Sequence, residues 1–96
     1  MSARIDGERL VIAGNVDALT VPALFEPSMA GVRAGISSVD FAEVVNADSS
    51  AIALALAMLR EAEASGRKLN FQNIPPTMLK LARLYDVGDL LGASAA

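Results

Sequence analysis

The run Ala51 to Leu59, AIALALAML, carries no polar side chain over about two and a half turns of helix. A helix that is apolar on nearly every side must be buried, or covered by a partner where it emerges. In a chain of 96 residues, one helix of this kind organises the whole fold around itself. Its second half turns amphipathic, with Arg60, Glu61 and Glu63 on a polar face, and Gly66 supplies the stop.

The segments on either side read as strands and further helices. ARIDGERLVIAG has the pattern of a β-hairpin: Asp6-Gly7 suits a tight turn, and Arg9 to Ala13 is the stronger strand. A helix follows, with Thr20 as N-cap and Pro22 in the first turn, where a missing N–H costs little. Leu24, Phe25, Met29 and Val32 form its apolar face and Gly35 its terminator. Pro27 sits where proline removes a backbone hydrogen bond, so a kink, or a regular helix that begins only near Pro27, is expected. Ile36, Val39, Phe41, Val44 and Val45 mark a strand that leads into the central helix. RKLNFQNI predicts another, with Leu69 and Phe71 on one face. A last helix starts at Pro76 or Thr77, is packed by Met78, Leu79, Leu81, Ala82, Leu84 and Tyr85, and turns Lys80 and Arg83 outward. Gly88 breaks it before a short turn at Asp89 to Leu91, and residues 92–96 form a frayed tail. The order β-β-α-β-α-β-α over residues 1–96 predicts a single α/β domain: an N-terminal hairpin leading into a mixed sheet, with helices mainly on one face and the other face thinly covered.

Composition narrows the function. A net charge of −3 is the opposite of a nucleic-acid footprint and does not favour an anionic membrane surface. With neither cysteine nor histidine, the chain lacks thiolate chemistry, the commonest general base and most zinc sites. It has no glycine-rich phosphate loop and no G-x-S-x-G elbow. Asp40, Glu43 and Asp48 are three carboxylates near one strand end, but no phosphate partner accompanies them as a magnesium site would need. No segment approaches the length of a membrane helix and no leader is visible, so a cytoplasmic protein with no bound cofactor, no catalysis and no direct membrane insertion is expected.

The remaining chemistry gathers at Asp48-Ser49-Ser50. Local physics makes Asp48 the N-cap of the central helix, or the residue just before it, and puts both hydroxyls in its first turn, where unpaired N–H groups and a positive partial charge collect. An N-cap alone accounts for an Asp-Ser-Ser triplet. The longer stretch VDFAEVVNADSSAIALALAMLREAEASGRKLNFQNIPPTMLKLARLYDVGDLL does more: it resembles the STAS domain family, whose hallmark is a buried strand followed by Asp-Ser-Ser/Thr-Gly at a helix start. Phe25-Glu26 and Leu81-Ala82-Arg83-Leu84-Tyr85 look most like the MlaB branch, the small cytoplasmic subunit of a phospholipid transport complex. More distantly, the chain is similar to anti-sigma factor antagonists. Ala51 stands where those antagonists keep glycine, so its methyl is expected to narrow a partner's approach to Ser50.

The resemblance implies a non-catalytic binding module. On one reading, Asp48, Ser49, Ser50 and Phe25 form a patch that docks on the ATPase of an ABC-type phospholipid transporter, at the cytoplasmic side of the inner membrane. On the other, the same patch meets an anti-sigma serine kinase, and phosphorylation of Ser50 breaks the contact.

Overall fold

The computed structural model describes residues 1–92. Four strands form one sheet in the order β1 (Ser2–Asp6), β2 (Arg9–Val16), β3 (Ser38–Ala47) and β4 (Asn70–Gln72). The first pair is antiparallel and the other two pairs are parallel, so the sheet is mixed, as expected. Three helices connect and follow the strands: α1 (Val21–Ala34), α2 (Ser49–Ala64) and α3 (Pro76–Leu84), with a 3₁₀ turn at Asp89–Leu91. The tail expected over 92–96 lies outside the described residues except for Gly92, which caps the 3₁₀ turn.

α2 takes the central place that its sequence demands. Ala51, Ile52, Leu54, Ala55, Met58 and Ala62 are buried. They join Leu10, Ile12, Val16, Val39 and Phe41 from one face of the sheet, Leu24, Met29 and Val32 from α1, and Met78 and Ala82 from α3 in a single core. Phe71 of β4 reaches the Phe41 ring at a centroid distance of 6.0 Å, within the range that favours tilted aromatic pairs. Gly66 ends α2 in a left-handed conformation, with the Arg67 N–H bonded back to the Ala62 carbonyl.

Four local expectations change. The hairpin loop is Gly7-Glu8, because Asp6 pairs with Arg9; positive φ at Gly7 alone has the pattern of a type II′ turn. α1 runs from Val21 to Ala34 with Pro27 inside it, instead of starting near Pro27. Pro27 and Ala23 are both exposed, so water can satisfy the Ala23 carbonyl that proline leaves without a donor. β4 has only three residues, shorter than RKLNFQNI suggested. Leu84 and Tyr85 do not pack α3; both are exposed, since its inward stripe is already filled by Met78 and Ala82.

The opposite face of the sheet carries a lattice of charge. Arg4 donates to both carboxylate oxygens of Glu43 at 3.2 and 2.7 Å. Arg9 bridges Asp6 and Asp40, and Asp40 also accepts from the Asn73 amide and the Ala42 N–H. Beneath this lattice lies Val11, the one buried apolar residue outside the main core among the described residues. The Asn73 amide, the Ala42 N–H and the nearby Arg9 hold the Asp40 carboxyl below the usual carboxylate range, against the opposing effect of burial. Arg4 does the same for Glu43.

Candidate functional site

Parallel strands β2 and β3 bring their C-terminal ends to one edge of the sheet, and both α1 and α2 start there. Loops held by a rigid scaffold are where binding residues most often sit. The link between β2 and α1 is a tight polar turn. Asp17 Oδ1 accepts from the Leu19 and Thr20 N–H groups, while Thr20 Oγ1 accepts from the Asp17 N–H and donates to the Asn15 carbonyl. Those bonds tie both polar side chains of the turn to its backbone, and they leave Leu19 at its tip, 90% exposed.

Asp48 joins this turn to α2. Its Oδ1 accepts from the Ser50 N–H at 2.7 Å, which is the expected N-cap bond, and its Oδ2 accepts from the Ala18 N–H at 3.3 Å. Its own N–H donates to the Val16 carbonyl. One side chain therefore caps α2 and holds the Leu19 turn beside it. With the cap filled by a carboxylate, the start of α2 is not an open anion seat.

Ser49 is exposed and Ser50 half-buried, and neither hydroxyl makes a hydrogen bond among the described residues. Phe25 lies on the neighbouring helix, α1. Because both helices return from parallel strands, α1 and α2 run side by side in the same direction. Arg33 Nε donates to Glu61 at 2.6 Å, which fixes their register. Counting back from that pair puts Phe25 level with the second turn of α2. Ser50, Ala57 and Glu61 share one stripe of α2 by helical spacing, and Glu61 shows that this stripe faces α1. By this count Phe25, 42% exposed, lies toward the start of the helix pair, the end at which Ser50 sits.

Two residues of this end were not foreseen. Leu19 is one; Val45, 74% exposed, is the other. β2 pairs Gly14 with Val44 and Asn15 with Asn46, so Val45 is the extra residue of a β-bulge. Bulges re-aim side chains and recur beside functional sites. Gly14, opposite the bulge, has φ 88°, and a Cβ there would come within 2.8 Å of the Met1 backbone, so only glycine fits. The sequence did carry signals: Leu19 is an apolar residue among capping residues, and Val44-Val45 breaks the alternation of a strand.

Ala51 is 1% exposed, so its methyl faces the core and takes no space from a partner; the expected narrowing at Ser50 does not occur. Asp40, Glu43 and Asp48 each have separate partners, and no group of three His, Cys, Asp or Glu is arranged to hold a metal among the described residues. Also among those residues, no helix is long and apolar enough to cross a membrane. A surface hollow of about 370 Å³ lies away from this end, between β4 and the 3₁₀ turn.

Comparison with known proteins fits this arrangement. The family described as "Mlab, STAS domain" matches residues 1–92. No curated protein sequence matches. Among solved structures, the unphosphorylated anti-sigma factor antagonist SpoIIAA superimposes with a TM-score of 0.70 at 20% identity, over 92% of this chain and 82% of that one. The phosphorylated form of SpoIIAA, a Bacillus cell fate determinant, gives 0.66 at 22% identity, over 92% and 85%. At these identities the likeness is one of fold.

Proposed function

The chain belongs to the MlaB-type STAS domain family, and on that premise we propose that it is a non-catalytic docking subunit. Its partner is the ATPase of an ABC-type phospholipid transport complex, which it stabilises or regulates from the cytoplasmic side of the inner membrane. The observation that carries this reading is the exposure of Leu19 and Phe25 near the start of the helix pair, with the Leu19 turn tied through Asp48 to the α2 start that bears the free hydroxyls of Ser49 and Ser50, and of Val45 near the end of β3. Apolar anchors within a polar rim are what a protein interface needs. Asp17 and Asp48 leave that rim acidic, which favours a partner with basic residues around its contact. Ser49→Arg places a long cation at the centre of the patch. Co-purification with the ATPase should be lost while the circular dichroism spectrum stays unchanged; undiminished co-purification would refute the patch.

A second reading has its own observation in favour. With Ala51 turned into the core, the departure from the antagonist pattern leaves the approach to Ser50 open. As an anti-sigma factor antagonist, the chain would meet a serine kinase at the same patch, and a phosphate on Ser50 would add about two negative charges beside Asp48. Ser50→Asp should then lose the partner and Ser50→Ala keep it. Equal binding by both variants rejects this reading and leaves the first standing.

A further inference from the structure

Asp48 gives its two carboxylate oxygens to two different elements. Oδ1 takes the Ser50 N–H at 2.7 Å and caps α2, while Oδ2 takes the Ala18 N–H at 3.3 Å, from a residue 30 positions away. The bonds from Asp17 to the Leu19 and Thr20 N–H groups are local and set the form of the turn. Among the described residues, the Asp48–Ala18 bond is the one side-chain hydrogen bond that joins this turn to the start of α2. An N-cap needs a single acceptor, and Asn or Ser caps a helix about as well as Asp. A carboxylate at position 48 therefore offers one oxygen more than the cap requires, and that oxygen goes to the turn that carries Leu19.

We infer that Asp48 is a positioning residue of the docking site: through Oδ2 and the Ala18 N–H it fixes where Leu19 stands relative to Ser49 and Ser50. The inference rests on the docking function proposed above. Asn cannot replace Asp in this role. Its amide has one acceptor oxygen, and with that oxygen on the Ser50 N–H its NH₂ group faces the Ala18 N–H, donor against donor. The shorter bond keeps the oxygen, so the cap survives and the turn comes loose from α2. Leu19, 90% exposed, has no packing of its own to hold it there. The charge that Asp48 lends to the rim is a separate effect, and salt screens it.

Two measurements on Asp48→Asn test it: amide hydrogen exchange in the free chain, and recovery of an ABC ATPase with the tagged chain from its native host, washed at about 0.5 M salt to screen the rim. The Ser50 amide should exchange as in wild type and the Ala18 amide several-fold faster, with the melting temperature held. ATPase recovery should fall by about tenfold. In a Leu19→Ala background the same substitution should lower recovery no further, because Asp48 acts through Leu19. An Ala18 amide that exchanges at the wild-type rate, an additional loss in the Leu19→Ala background, or full recovery by Asp48→Asn while Leu19→Ala alone is depleted would overturn the inference and leave the docking surface standing. Full recovery by Leu19→Ala would refute the docking surface, and this inference with it.

Discussion

The helix-free face of the sheet and the loop end at Ser49 are both polar surfaces without a covering element, yet they treat their side chains in opposite ways. On the open face, Arg4, Arg9, Asp6, Asp40, Glu43 and Asn73 satisfy one another and shelter Val11. At the loop end the hydrogen bonds go to the backbone: Asp17, Thr20 and Asp48 shape turns and caps, and Leu19, Phe25 and Val45 stay bare. A surface that satisfies itself holds the fold together. One whose polar groups are spent on backbone shape, with apolar side chains left over, is fitted to hold something else.

Substitutions at the two places should therefore separate. The largest effect is expected at the loop end: Leu19→Glu should weaken partner association by about a hundredfold, the scale of a lost interface anchor, with stability changed by no more than about 0.5 kcal/mol. Asp40→Ala on the open face should do the reverse. It removes the partner of Arg9 and Asn73 and should cost about 2 kcal/mol in denaturant unfolding, with association unchanged. Asp48→Ala bridges the two behaviours, because it removes an N-cap and releases the Leu19 turn; a stability loss of about 1 kcal/mol should accompany measurably weaker association. Ser28→Ala should be the smallest and opposite in sign. The Ser28 hydroxyl is buried with no hydrogen-bond partner, so its removal should stabilise the chain by up to about 1 kcal/mol.

The open face also sets the response to acid. Asp40 and Glu43 both hold their protons less readily in the folded chain than in the unfolded one. Their contribution is thus complete above the ordinary carboxylate range of about 4 and is lost as pH falls through the lower folded values. Unfolding free energy measured from neutral pH downward should decline below that range, and Asp40→Ala should flatten the decline.

Much of the fold was legible because periodicity carries it. The all-apolar run at Ala51 to Leu59 fixed a central helix, and glycines at 35 and 66 marked the ends of α1 and α2. What stayed hidden depended on contacts between elements. Nothing local in YDVGDLL reveals that Met78 and Ala82 already fill the inward stripe of α3, leaving Leu84 and Tyr85 outside. The N-cap role of Asp48 was visible from its position, but its second bond, to Ala18, spans 30 residues and exists only in the folded chain. Val45 marks a strand by its β-branched side chain, but its exposure depends on the register shift against β2, which no local pattern shows.

The account's central claim is that the loop end, and not the open face of the sheet, is the docking surface. Its most direct test is quantitative mass spectrometry of what co-purifies with the tagged chain from its native host, comparing wild type, Leu19→Glu and Glu43→Ala. An ABC ATPase recovered equally with wild type and Glu43→Ala, and depleted at least about tenfold with Leu19→Glu, is the predicted result. Full recovery with Leu19→Glu, or loss with Glu43→Ala alone, would contradict it.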